Sequence, residues 1–286
     1  MAVRDIEVRP VGPYDLVRSA RACDRLTRRL EGGLLITAVG RDGTARIHQR
    51  PDGALRIRLE ADDLDATWAR LRFELALDDD PSPFLRAHRA DPLLGPLLRR
   101  CPGLRPLWAG SAAHAALRAF AGQLISFREA QAIERRVLRL AAPAAGAGLV
   151  RSPTAAEISG LGTARITGCG LAPKRAEAMV RLLGRVDLER LGGLDPAAVD
   201  VRLRREAQVG PWSVGVIALQ GWGWPDAGLV GDLGLMKLAE ALAGRAPQVA
   251  DTAALLAPYA PWRGLASMHL MGHPLARQRR PMRAAA

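Results

Sequence analysis

The chain of 286 residues is 49% apolar and 24% charged, with a formal net charge of +12. That is enough for a sizeable core and about two domains of ~150 residues, too apolar for a disordered polymer, and it holds no apolar run of the ~18 residues a membrane span needs. Cys23, Cys101 and Cys169 show no Cys-x-x-Cys spacing, which excludes a disulfide framework and a cysteine-ligated zinc or iron–sulfur centre.

The first eight residues carry no hydrophobic signal core, so the expectation is a cytoplasmic protein. Residues 6–10 start a short strand, and residues 14–30 place apolar side chains at helical spacing. Residues 34–39, 44–48 and 55–59 read as strands, with Asp42-Gly43 and Asp52-Gly53 as the hairpin turns between them. Helical periodicity returns over 64–77. It ends at Asp78-Asp-Asp-Pro-Ser-Pro83, read as a solvated turn with capping residues.

From Phe84 onward the pattern is helical only, punctuated by Pro and Gly. The clearest segments are 112–140, broken near Gly122, then 173–183, 196–204, 212–220, 233–243 and 261–271. Several open with Pro in the first turn, where the missing N–H costs nothing, and short links predict an all-α bundle. The fold class is therefore α+β: a mixed α/β unit over 1–103 and an all-α unit over 104–286, divided near Cys101-Pro-Gly103.

Of 41 basic residues only Lys174 and Lys237 are lysines. The excess charge calls for a polyanionic partner, nucleic acid first. Arg204-Arg-Glu-Ala-Gln-Val-Gly-Pro-Trp-Ser213 lies between two predicted helices. A helix, a tight turn and a second helix offer free N–H groups that bind a phosphate without reading sequence. Ser213 adds a hydroxyl there, and Gly210 is expected in or near a left-handed conformation. Alone, such a turn is equally an ordinary αα-hairpin with a capping glycine. Further on, Leu229-Val-Gly-Asp-Leu-Gly-Leu235 sets one carboxylate, Asp232, just before an apolar helix. It is either an N-cap or a carboxylate held in a cleft facing DNA.

A hairpin followed about twenty residues later by an Asp at a helix start resembles the helix-hairpin-helix DNA glycosylase superfamily, and within it bacterial 3-methyladenine DNA glycosylase II. Ala121-Gly-Gln-Leu-Ile-Ser126 resembles that family's Gly-Gln-x-[Ile/Val]-Ser turn, and Leu171-Ala-Pro-Lys-Arg-Ala-Glu-Ala178 its Lys-Arg-Ala-Glu helix start. Asp232-Leu-Gly-Leu follows the pattern after the family's aspartate, and Pro261-Trp-Arg-Gly-Leu-Ala-Ser-Met-His-Leu270 resembles its C-terminal helix. Order and spacing agree from about Pro106 to Leu270. The α/β unit resembles, more loosely, the family's TATA-binding-protein-like N-terminal domain.

The resemblance implies a monofunctional glycosylase of base excision repair. It would flip a damaged, alkylated purine out of double-stranded DNA and hydrolyse its N-glycosidic bond, leaving an abasic site. Asp232 matches the catalytic aspartate, which stabilises an oxocarbenium-like sugar and assists attack of water at C1′. Leu124 matches the wedge that replaces the flipped base. Gln123, Gln208, Gly210 and Ser213 fall at DNA-binding positions, and Trp212, Val216 and Met271 at the base pocket. No cofactor or catalytic metal is implied, only a structural monovalent cation at the hairpin, in a nucleoid-associated monomer. Relatives that also cleave the strand form a Schiff base through a hairpin lysine; Trp212 stands at that position. The missing cysteines separate the chain from the iron–sulfur branch.

Three departures stand out. The usual Pro-Gly-[Ile/Val]-Gly hairpin reads Ala207-Gln-Val-Gly210, so Gln208 is mildly strained if its position needs φ > 0. Two family aromatics are replaced by Val216 and Met271, which leaves less stacking surface for an electron-poor base. His269 and His273 have a zinc-like spacing on a predicted helix but lack a third ligand. Trp222 and Trp224 cover the core or stack on a base, and the tail from Arg277 to Arg280 reads as a solvated end. The alternative function is a non-catalytic binder of distorted or damaged DNA. Asp232 argues against it, because a binder has no use for a carboxylate beside a polyanion.

Overall fold

A computed structural model describes residues 1–277, so the basic residues beyond Arg277 lie outside the described residues. Period-two burial sets up the sheet. Strand β1 is Ala2–Val8, β2 Arg28–Glu31, β3 Leu34–Val39, β4 Gly43–Gln49 and β5 Leu55–Ala61. All pairs are antiparallel, in the order β1-β5-β4-β3-β2. On β5, Leu55, Ile57, Leu59 and Ala61 turn inward while Arg56 and Arg58 face water. Ile6, Ile57, Ile47 and Leu35 align across four strands. They share a core with Leu16 of α1 (Leu16–Ala20) and Leu71 of α2 (Leu64–Glu74). The continuous apolar run of β3 has a cause: its opposite face, Ile36 and Ala38, packs on Leu149 from the helical part.

Two local expectations need correction. The helix expected over 14–30 is cut to α1, because the Asp24 carboxylate takes the N–H groups of Leu26 and Thr27 and turns the chain into β2. In the β3–β4 hairpin the left-handed residue is Gly40, at φ 60°, not Gly43. Gly43 begins β4 and is needed for close approach, since a Cβ there would lie 2.5 Å from Cγ2 of Thr67 on α2.

The rest is helical: α3 (Ser82–Ala87), α4 (Gly95–Arg100), α5 (Ala112–Gly122), α6 (Phe127–Ala141), α7 (Ala155–Ser159), α8 (Gly162–Gly168), α9 (Pro173–Arg185), α10 (Leu188–Leu191), α11 (Pro196–Leu203), α12 (Pro211–Gly221), α13 (Leu233–Ala243), α14 (Val249–Leu256) and α15 (Arg263–Leu270). The short helices α3, α4, α7, α8 and α10 run only four to seven residues, too few for apolar periodicity to declare them. Phe84 and Leu97, on α3 and α4, join Trp108, Leu117, Ile217 and Leu270 in one core. Trp222 and Trp224 pair at 4.9 Å and pack against that core.

Buried polar groups join the sheet to the helices. Arg105, 2% exposed, donates to the carbonyls of Val11, Pro13 and Ala76. Arg118 on α5 donates to Asp24 at 3.1 Å and to Glu134 on α6 at 2.8 Å, and His114 meets the same Glu134 oxygen at 2.7 Å. Burial opposes ionisation of Asp24, but Arg118, then His114 and Thr27, hold its carboxyl down at about 2. Asp24, His114 and Glu134 lie close enough to grip a metal ion, yet the positive charge among them is already supplied by the Arg118 guanidinium. Among the described residues, no helix is long and apolar enough to cross a membrane.

Candidate active site and nucleic-acid interface

Helix α11 ends at Leu203 and α12 starts at Pro211, and the turn between them is the hairpin. Its left-handed residue is Gln208, at φ 61°, so a side chain does sit where the family has glycine. Gly210 is extended, at φ −98° and ψ −179°, and serves as N-cap of α12. The left-handed conformation expected there is therefore wrong: the chain has already reversed at Gln208, and Gly210 only feeds the helix. A Cβ on Gly210 would meet nothing within 4 Å, which leaves that face open for another molecule's backbone.

The α5–α6 turn docks on this hairpin through one side chain. Gln123 Nε2 donates to the Gln208 carbonyl at 2.8 Å and to Ser213 Oγ at 3.0 Å. Arg175, near the start of α9, donates to the Gln123 carbonyl at 2.6 Å. Three separate sequence motifs thus meet at Gln123. Ser213 is only 2% exposed, so its hydroxyl, expected to face phosphate, is spent inside the joint. The Gln208 carbonyl, an acceptor that a hairpin cation would use, already gives one lone pair to Gln123.

Beyond Gln123 the chain turns through Leu124, at φ 56° and 77% exposed. An apolar side chain held outward on a left-handed residue is fixed by the turn and not by the core. Gly122, just before, lies under the Trp212 indole: a Cβ there would come 2.7 Å from its Cη2. Trp212 in turn donates from Nε1 to Asp232 Oδ2 at 3.1 Å. Asp232 Oδ1 accepts from the N–H groups of Gly234 at 2.8 Å and Leu235 at 3.3 Å, capping α13. The N-cap reading of Asp232 thus holds through Oδ1, while Oδ2 is taken by the Trp212 indole. Gly231, at φ 88°, donates to Thr252 Oγ1 and fixes the chain ahead of it.

The expected base pocket is only partly assembled. Trp212 is beside the aspartate, Met271 is the half-buried C-cap of α15, and Val216, 4% exposed, is part of the core. His269 is buried, with burial pushing its imidazole down to about 4. His273 lies beyond the end of α15 and accepts from the Leu275 N–H, so the two histidines do not share a helix face. Sequence reading missed the Gln123 joint and the buried Arg118 network. Long-range bonds of 85 and 94 residues' separation leave no local signal.

Sequence comparison aligns 220 residues, 74% of this chain, at 30% identity with Mycobacterium tuberculosis proteins described as "Probable bifunctional transcriptional activator/DNA repair enzyme AlkA". The chain spans 44% of the length of these curated relatives. No family model matches. The fold is similar to that of 3-methyladenine DNA-glycosylase from Archaeoglobus fulgidus, with TM-score 0.81 and 17% identity over 93% of this chain and 96% of that one. It is also similar to Clostridium acetobutylicum 8-oxoguanine glycosylase/lyase in complex with double-stranded DNA, with TM-score 0.77 and 16% identity over 94% and 96%. The fold is therefore of the DNA glycosylase kind. The chain belongs to the helix-hairpin-helix DNA glycosylase superfamily, among its AlkA-like members.

Proposed function

We propose that the protein is a monofunctional DNA glycosylase that extrudes a damaged, alkylated purine from duplex DNA and hydrolyses its N-glycosidic bond. The observation that carries this reading is the Asp232 carboxylate, with one oxygen fixed by helix N–H groups and the other by the Trp212 indole. That carboxylate stands in one connected array with an outward Leu124. Leu124 fills the gap that the departing nucleotide leaves. Asp232 then faces the sugar, where a fixed negative charge stabilises the cation that develops as the bond breaks. Arginines and the open backbone at Gly210 hold phosphates without reading sequence.

Hydrolysis without strand cleavage is supported by Trp212, since an indole cannot form a Schiff base. Lys174 is exposed at the start of α9 and Lys237 lies on α13 with an interaction of its own, so neither is in the hairpin. The alkylated-purine preference rests on the family resemblance, with Trp212 the aromatic surface beside the carboxylate. No cofactor enters the reaction, and a hairpin cation would serve the turn alone. Excision from a panel of duplexes, each with one defined lesion and scored after alkali, tests the activity. Release of an alkylated purine, with strand breaks only after alkali and no borohydride-trapped adduct, is the expected result. Binding of damaged duplex with no lesion excised would replace this reading with that of a non-catalytic binder.

A further inference from the structure

The first turn of α6 carries a feature that the array above does not use. Phe127 opens the helix and is 63% exposed. Its neighbour Ile125 packs against the core, whereas Phe127 is in no core cluster. Among the described residues it also makes no aromatic or cation–π contact. A benzyl group at the first position of a helix gains nothing for the fold when left in water, since its burial is the source of its stabilisation.

The surroundings narrow what can cover the ring. The helix start is already closed by a capping box, in which Ser126 Oγ and N–H both donate to the Glu129 carboxylate, at 2.7 and 3.0 Å. Glu129 is held in its charged form by those same bonds, with its carboxyl below the usual range. A carboxylate at a helix N-terminus occupies the place where a phosphate would bind, and repels one. The turn is therefore not a backbone-phosphate site. What it offers outward is apolar surface, Leu124 and then Phe127, followed by the exposed Arg128. Apolar side chains on a protein of charge +12 have one natural counterpart on a polyanion, the faces of its bases.

We infer that Phe127 is a second DNA-inserting side chain, which stacks on the base left unpaired in the strand opposite the lesion. Leu124 and Phe127 are three residues apart, so their Cα atoms are separated by at most about 10 Å. That span cannot leave the neighbourhood of the extruded nucleotide. A branched alkyl group suits a void, and a flat ring suits a π-face. The division of labour follows from the side-chain types: Leu124 fills, Phe127 stacks. Arg128 is then placed to meet the flanking phosphate.

This inference rests on the glycosylase reading, in that it needs an extruded nucleotide. The test uses the full chain and two duplexes: one with a tetrahydrofuran abasic analogue opposite 2-aminopurine, and one intact duplex of the same sequence. Wild-type protein should prefer the abasic duplex and quench 2-aminopurine as the ring stacks on it. Phe127→Ala should weaken binding to the abasic duplex by about 5- to 150-fold, the range found for loss of one base–aromatic stack. It should also lose the quenching, while intact-duplex affinity and thermal stability stay unchanged; Phe127→Trp should restore both. If wild-type protein shows no preference for the abasic duplex, base extrusion fails and the stacking role fails with it. If the preference exists but Phe127→Ala keeps both affinity and quenching, the stacking role alone is overturned.

Discussion

The Trp212 indole and the Asp232 carboxylate are joined by a 3.1 Å hydrogen bond from Nε1 to Oδ2 across twenty residues of chain. Because Oδ1 is committed to the N-terminus of α13, the carboxylate has no rotational freedom to leave the site. A pre-oriented charge does not have to reorganise when a cation develops beside it, which is where electrostatic stabilisation is most effective.

Asp232→Asn is expected to abolish excision while affinity for damaged DNA stays within a few-fold of wild type or improves. Asn caps a helix as well as Asp does, so the fold persists. The lost charge favours a developing sugar cation but repels ground-state phosphates. Single-turnover rates beside equilibrium binding measure the two effects, and wild-type rates in the Asn variant would remove Asp232 from the chemistry.

Gln123→Ala should destabilise the protein by about 1–3 kcal/mol, because the buried Ser213 hydroxyl loses a hydrogen-bond partner. Damaged-duplex binding should weaken too, as the Leu124 turn is no longer fastened to the hairpin. Urea denaturation and binding titrations check both; unchanged stability would mean that the Gln123 joint is not formed in solution.

Gln208→Gly should raise stability by about 0.5–1 kcal/mol by relieving a left-handed non-glycine residue, with DNA affinity unchanged or slightly tighter. A large loss of affinity would show that the Gln208 side chain itself touches DNA. Gly210→Ala should leave the melting temperature near wild type, because a Cβ there meets nothing, but weaken binding to damaged and undamaged duplex alike.

His269 sets an acid limit. Its imidazole titrates near 6.5 when unfolded but is pushed by burial down to about 4 in the fold, so the unfolded chain takes up the proton first. Stability is therefore complete above pH ~6.5 and declines as pH falls toward 4, by up to about 3 kcal/mol. His269→Leu should flatten this part of the profile in urea midpoints measured from pH 7.5 to 4.5. An unchanged slope would assign the acid sensitivity elsewhere.

Much of the fold was legible because its signals are local. Strand alternation over 55–59, the break at Gly122 and the prolines opening α9 and α11 all speak within a few residues. The capping place of Asp232 was legible from its position just before an apolar helix, and Gln208 as the residue standing where the resembling hairpin has a glycine. The extended state of Gly210 was not, since one reversal in a hairpin serves as well as another on paper. Nor was the early end of α1, where a buried Asp24 overrides helical periodicity. The burial of Val216 and Ser213 depends on packing between distant helices, which no sequence window contains.

Asp24 has one more consequence. Its carboxylate, with the carbonyls of Val11, Pro13 and Ala76, neutralises or satisfies Arg118 and Arg105 from the other side of the sheet–helix joint. Trimming the chain to its helices would remove the three carbonyls that Arg105 donates to and one of the two carboxylates on Arg118, leaving Arg118, Glu134 and His114 in a half-built cluster. Removing one partner from a buried ion pair costs about 3–5 kcal/mol, a large part of a domain's whole stability. The sheet is thus not an accessory that can be shed to give a minimal version: the helices that carry Leu124 and Asp232 inherit their electrostatic balance from it.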